Sequence, residues 1–459
     1  MNMKRSLTEG SIVKGLFYFA LPLMLSNFLQ QLFNAVDSAV VGNFVGREAL
    51  AAVGSTGPVI NMFIGFFLGI STGTGVLYAM HYGAGDRTGL KKIIDGALIL
   101  SVFAGLALTA VGIIFAPHFL RLMQTPDDVI GMSTAYLRIL LIGTVPILLY
   151  NVGAGMIRAG GDSVTPLIYL FIGGVLNLIL DLFFVVIMKW GASGAAVATV
   201  LAQSFSCLLI IRHLTRLPEE YRLRLRKMRL HKVFAWDITR VSVPCGLQSS
   251  MFNFANLIVQ MKINTFGSVA MAGVTVYGKV DGFLYMPILA LGLAISTYVA
   301  QNTGAGNLER IGKGVKICVF GGVGLIVTLA AFAIIFMPQL ARIFNDEPEV
   351  VEFTISMMWF MAPFGWIFVF AEILGGAIRG SGRPMQVTII SAICICLFRV
   401  AWLIFVLPVF GTIQAVFIVY PLSWLLSSVV TALYYFKANP HRKAVLLSRT
   451  EQDMAETAK

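Results

Sequence analysis

The sequence predicts an all-α integral membrane protein of twelve transmembrane helices in two parallel six-helix repeats. Three observations predict it. Of the 459 residues, 58% are hydrophobic and only 12% charged, with a mean hydropathy of +0.84, a balance outside the range of soluble globular chains. The apolar residues gather in twelve runs, most of them at or above the roughly 20 residues a spanning helix needs. Loop motifs of the first half recur in the second half at one fixed spacing.

The first run, about 14–44, is too long for a signal-peptide core and lacks a small-residue cleavage site, so it is a retained helix. It reads Asn27-Phe-Leu-Gln-Gln-Leu-Phe-Asn-Ala-Val-Asp37 before returning to apolar residues, and Gln30, Asn34 and Asp37 share one helical face. A carboxylate in a span costs about 3 kcal/mol or more on insertion scales, so such residues face a cavity and mark an ion or substrate path. A buried carboxylate that only ties helices together is the plain alternative. Pro22 lies earlier in the same run and is expected to loosen it by removing a backbone hydrogen bond.

Runs at about 50–78, 93–115 and 132–156 follow, the last holding Asn151. The fifth, about 164–188, places Asn177 and Asp181 four residues apart on one face, and the sixth, about 193–213, holds Thr199. Carboxylate, amide and hydroxyl oxygens are the hard ligands a proton or Na⁺ uses. A basic connection at 214–237 then separates an N-terminal lobe, 1–213, from a C-terminal lobe, 238–436, and a tail at 437–459 closes the chain. The second six runs fall at about 238–264, 274–299, 315–337, 353–377, 385–408 and 412–436. Their polar residues differ from those of the first six: Asn253, Asn256, Gln260 and Lys262, then Lys279 and Asp281, then Glu372 and Arg399. Lys279 and Asp281 are expected to form a local ion pair. Arg399 either pairs with Glu372 across two spans or lines a pathway.

The net charge of +12 does not point to nucleic acid. Most of the Lys and Arg, including Lys4, Arg5, Arg87, Lys91, Lys92, Arg310, Lys313 and Lys316, fall in alternate connections, whereas Arg47, Arg121, Lys189 and Arg342 are the few in the others. This is the positive-inside pattern with both termini cytoplasmic. The densest cluster, Arg212 to Lys232, lies against anionic headgroups or forms a solvated loop. All five cysteines fall within apolar runs and read as small core residues.

The repeat has a register of 221 residues. Gly83-Ala84-Gly85 recurs as Gly304-Ala305-Gly306, Arg158-Ala159-Gly160-Gly161 as Arg379-Gly380-Ser381-Gly382, and Phe115-Ala116-Pro117 as Phe336-Met337-Pro338. Six helices per repeat makes the repeats parallel, an arrangement that suits alternating-access transport. The glycines have no Walker lysine spacing and read as tight turns, with Arg158 and Arg379 at span ends near headgroups. Enzyme chemistry is excluded by the same reading. Gly191-Ala192-Ser193-Gly194 mimics an intramembrane serine-protease motif, but His81, His118, His213, His231 and His441 all lie in loops or at span ends. No filter-like ring suggests a channel.

These two repeats, the inside Gly-Ala-Gly-Asp/Asn turns and the paired Arg-x-x-Gly turns resemble the MATE (multidrug and toxic compound extrusion) family over about residues 12 to 436. The resemblance implies cation-coupled efflux of small amphipathic, often cationic compounds across a bacterial or archaeal inner membrane. It implies no cofactor beyond H⁺ or Na⁺, membrane lipid as the surroundings, no nucleic acid and no obligate protein partner. Pro22, Asp37, Asn177, Asp181 and Thr199 resemble the cation-site set of the branch that couples through its N-terminal lobe, with Asn151 as the counterpart of a helix-4 asparagine. Gln30, Asn34, Asn253, Asn256, Gln260, Glu372 and Arg399 are the pathway candidates. Pro244-Cys245-Gly246-Leu247 matches the context of another branch but is followed by Gln248 rather than an acid. The rival in the same superfamily is a flippase for lipid-linked saccharides, whose cavity carries cations for pyrophosphate. Here the only buried cations expected are Lys262, Lys279 and Arg399.

Overall fold

The computed structural model describes residues 7–122, 125–219 and 221–438. Lys4, Arg5 and the tail from 439 onward, His441 included, lie outside them. Among the described residues the chain forms helices and no strands. The first repeat comprises α1 (Ile12–Phe44), α2 (Arg47–Gly83), α3 (Arg87–Leu122), α4 (Asp127–Ile142 continued by Thr144–Ala159), α5 (Val164–Ile187) and α6 (Gly191–Thr215). The second comprises α7 (Lys232–Ile263), α8 (Ser268–Gly304), α9 (Leu308–Phe344), α10 (Pro348–Gly380), α11 (Pro384–Phe410) and α12 (Ile413–Ala438). Helices are what a chain this apolar must form, because hydrocarbon offers the backbone no hydrogen-bond partners.

Ten of these helices are long and apolar enough to cross a membrane, and α4 qualifies as an eleventh with a 48° bend. The twelfth, α7, has the length, 32 residues, but is the least apolar of the long helices. Outward-facing residues such as Phe320, Phe405, Val409 and Phe436 are each more than 70% exposed, a pattern that makes sense only against lipid. The chain is a multi-pass membrane protein.

The 221-residue register is built into the backbone. Gly46 and Gly267 adopt φ of 111° and 100°, Gly85 and Gly306 of 69° and 72°, Gly161 and Gly382 of 94° and 73°. At the two Gly-Ala-Gly turns, the Asp86 N–H donates to the His81 carbonyl at 3.0 Å and the Asn307 N–H to the Asn302 carbonyl at 2.8 Å, closing both helix ends alike. The fourth helix of each repeat is also broken, at Gly143 in α4 and by a 3₁₀ turn at Ala362–Phe364 in α10. Gly267 combines its φ with ψ 174°, a region accessible almost only to glycine. Gly267→Ala is therefore expected to destabilise by about 1–3 kcal/mol and to lower the melting temperature in detergent. An unchanged melt would count against a strained turn there.

Packing divides the chain into two compact units, Pro22–Gly246 and Leu7–Leu21 with Leu247 onward. The first ten residues of α1, Ile12–Leu21, thus do not belong with the rest of that helix: the division falls at Pro22, whose ring removes one turn's hydrogen bond. In the first unit, added Cβ atoms on Gly69 and Gly73 would collide with backbone at Cys245 and Ser242, and Thr74 and Ser242 share a buried hydroxyl contact at 3.0 Å. In the second, Gly376 lies against the Gly292 carbonyl. There the Leu7 N–H donates to Gln301 at 2.9 Å, and Asn302 and Arg310 donate to carbonyls of residues 7 to 10.

Candidate functional site

In the first unit α5 approaches α1 so closely that a Cβ on Gly174 would meet the Phe33 ring. One turn beyond Phe33 stands Asp37, and Asn177 and Asp181 follow Gly174 on α5, so the two acids arrive side by side. Their carboxyl groups are within hydrogen-bonding reach of one another, close enough for the two acids to share one proton. Apart from that mutual contact, Asp37 Oδ1 and both carboxyl oxygens of Asp181 are buried without a hydrogen-bond partner in the protein. Asp181 is 1% exposed, and buried polar atoms are rarely left without partners. It ends the α-helical part of α5, and a π-helical stretch, Leu182–Ile187, begins at the next residue. Such stretches recur at functional sites because they re-aim the side chains beside them.

Beside the acids lies a cavity of about 200 Å³. Gln30, Asn34 and Asp37 of α1, Asn151 of α4, Asn177 of α5 and Thr199 of α6 all line it, whereas Asp181 stands behind Asp37 and outside the lining. The Asn177 amide points to the Thr199 hydroxyl at a long 3.5 Å, and Thr199 donates to the Ala195 carbonyl at 3.0 Å. Asn151 is tied back to its own helix, donating to the Ile147 carbonyl at 2.8 Å. The remaining wall is largely aromatic and aliphatic, with Phe33, Phe63, Phe67, Tyr136 and Tyr150. Tyr136, 4% exposed, lies within electrostatic reach of both acids. The sequence reading missed it, because an aromatic residue in an apolar run looks like core.

The second unit corrects several expectations. Glu372 pairs with Arg379, seven residues along α10, at 2.7 Å, and not with Arg399. Two turns of one helix bring those groups together without any inter-helix register. Arg379 accordingly turns inward, with a 10% exposed side chain, instead of reaching headgroups. It extends to Gln248 at 3.5 Å, which donates in turn to Ser391 at 3.0 Å. Arg158 likewise donates inward, to Ser71 at 3.3 Å. Arg399 instead donates to Asn256 at 2.7 Å and to Ser423 at 3.0 Å. Asp281 accepts from the Tyr277 hydroxyl at 2.7 Å rather than from Lys279, because residues four apart share a face and residues two apart do not. Lys262 and Lys279 are exposed, so of the three expected buried cations Arg399 alone is buried. Gln260 donates at 2.9 Å to Asn264, in the 3₁₀ turn that follows its helix, and Asn253 stands three residues before Asn256 on α7.

The MatE family model matches residues 22–183 and again 244–405, one match per repeat. The chain is 27% identical over 436 residues to the probable multidrug resistance protein YpnP of Bacillus subtilis (strain 168), covering 93% of this chain and 96% of that one. It is 28% identical over 442 residues to the probable multidrug resistance protein YoeA of the same organism, covering 93% and 94%. Its fold superposes on a crystal structure of MATE in the bent conformation with a TM-score of 0.87, at 24% identity and with 97% and 98% of the two chains covered. With both repeats matched, the chain belongs to the MatE family, a family of membrane transporters and not of enzymes.

Proposed function

We propose that the protein is a secondary active multidrug efflux antiporter, which exports small amphipathic, often cationic compounds in exchange for H⁺ or Na⁺ by alternating access. The observation that carries this reading is the Asp37–Asp181 pair, buried with no other partner, of which Asp37 lines a cavity walled by amide, hydroxyl and aromatic groups. Two acids held together in a poorly hydrated place resist ionising at once. One proton or one Na⁺ relieves that repulsion, and Asn177 and Thr199 supply further oxygens of the hard type such an ion takes. The names of YpnP and YoeA support multidrug cargo. Gln30 and Asn34 line the approach on the polar face of α1.

The Lys and Arg distribution supports both termini being cytoplasmic in a bacterial or archaeal inner membrane. In this reading the lobes 1–213 and 238–436 are the working halves, no cofactor is needed beyond the coupling ion, and no obligate protein partner takes part. Efflux of a cationic dye from proteoliposomes under separately imposed pH and Na⁺ gradients tests it, and the gradient that drives transport names the ion. No gradient-dependent movement of dye would sink the proposal. Pro22→Ala is expected to slow turnover several-fold without unfolding the protein, because it restores the missing helical hydrogen bond. Equal turnover would rule out a role for flexibility in α1.

A further inference from the structure

Arg399 is 1% exposed, among the largest side chains so deeply buried among the described residues. Its Nε donates to Ser423 Oγ on α12 and its Nη1 to Asn256 Oδ1 on α7, both neutral acceptors. Its Nη2 is buried and has no hydrogen-bond partner in the protein. Among the described residues, no carboxylate lies within ion-pair distance of it: the ion pair of this unit's α10 is Glu372 with Arg379. The guanidinium carbon stands 4.4 Å from the centre of the Tyr420 ring and 5.6 Å from that of Phe252, contacts that stabilise a cation but do not neutralise it. A buried charge is normally paired. Here the protein supplies aromatic faces and neutral acceptors, and leaves one donor of a bidentate fork open.

We propose that Arg399 is the centre of an anion subsite, which takes the carboxylate or a comparable oxyanion of an amphipathic aromatic cargo molecule. Guanidinium matches a planar oxyanion through charge-assisted bonds, and the half-buried Phe252, Asn256 and Tyr420 put it one side-chain layer beneath the surface of the unit, with flat rings ready to pack on an aromatic body. The local helix is shaped around it as well. The π-helical stretches Ala392–Leu397 and Trp402–Val406 flank it on both sides, as a π stretch adjoins Asp181 in the first unit. Depth decides against a lipid headgroup as the source of the anion. Arg399 lies fifteen residues from Pro384 and eleven from Phe410 along α11, about 22 Å and 17 Å from the helix ends at 1.5 Å per residue, far from the interface where headgroups sit.

The inference rests on the transport reading for the name cargo, but its test needs no transport. The probes are rhodamine B, which carries a free carboxylate, and its ethyl ester, which has the same xanthenium body without the acid. Binding of each to the purified full-length protein in detergent is followed by fluorescence polarisation. The wild type is expected to prefer the acid. Arg399→Gln should shift the ratio of the two dissociation constants about tenfold or more toward the ester, and Arg399→Lys should shift it less, since it keeps the charge and loses the fork. Asn256→Asp, which keeps Arg399 and supplies an internal counter-ion at nearly the same size, should shift the ratio as Arg399→Gln does. No preference for the acid in the wild type, or equal shifts for both dyes in the variants, overturns the assignment. Displacement of the acid by phosphatidylglycerol in an Arg399-dependent manner would make the occupant a headgroup and overturn it also. Failure of gradient-driven efflux, by contrast, removes the transport reading and leaves this binding result standing.

Discussion

Asp37→Asn is expected to abolish gradient-driven dye efflux, by about a hundredfold or more, which is the loss anticipated when coupling between two ligands disappears. Asp181→Asn should do the same. Asparagine keeps the shape of the carboxyl group and removes its ability to take up and release a cation, so the variant is locked in one state of the cycle. The double variant should be no worse than either single one, since the two residues form one unit and their effects do not add. Stability gives an independent readout. Asp37 Oδ1 and both Asp181 oxygens have no partner in the protein other than each other; an asparagine amide can still donate to the remaining acid, so both single variants should melt no lower than the wild type. Transport by Asp37→Asn at the wild-type rate under the same gradient would show that coupling does not pass through this pair.

The second large effect belongs to stability. Glu372→Gln should destabilise the second unit by about 3 kcal/mol, the low end of what breaking a buried ion pair costs when one charge is left behind. The pair is largely shielded, its side chains 18% and 10% exposed, and Glu372 also packs against Gly292 where α8 and α10 close up. Arg379→Gln should cost a similar amount, and the double variant less than the sum. Thermal melts of the four proteins in one detergent give the cycle. Efflux per folded molecule should be nearly unaffected by Glu372→Gln, because the acid pair lies in the other unit. Additive losses in the cycle would mean that the 2.7 Å contact contributes nothing.

Each of the twelve runs found in the sequence became a long helix, because a bilayer-length stretch of apolar residues has a single backbone solution. The 221-residue register survived into φ angles, since only glycine tolerates those turns. Asp37 and Asp181 were legible for the same reason: an acid amid apolar residues is too costly to be incidental. What failed was register between helices. A sequence states which face of α10 carries Glu372, but not which height on α11 stands opposite. The pairing of Glu372 with Arg399 was a guess about height, and Arg379 on the same helix won. Tyr136 was invisible because its ring matches its apolar surroundings and its hydroxyl alone marks the site. The π-helical stretches escaped because a single wider turn leaves too few residues to shift a periodicity.

The division of α1 at Pro22 bears on how the protein is made. Leu7–Leu21 packs with the second unit, while the first unit runs on to Gly246, beyond the basic connection. Ser242 and Cys245, against which Gly73 and Gly69 are fitted, are therefore synthesised after all six helices of the first repeat. The first repeat cannot finish folding when its own last helix emerges. It waits, inserted but incomplete, for part of the next one. Leu7–Leu21 waits longest, because Gln301, Asn302 and Arg310, which hold residues 7 to 10, come roughly 290 residues later and at about 5–20 residues per second follow after some 15–60 seconds. Neither repeat cut out at the basic connection holds a complete set of its own packing partners, so each half should need the other, present in the same membrane, in order to fold.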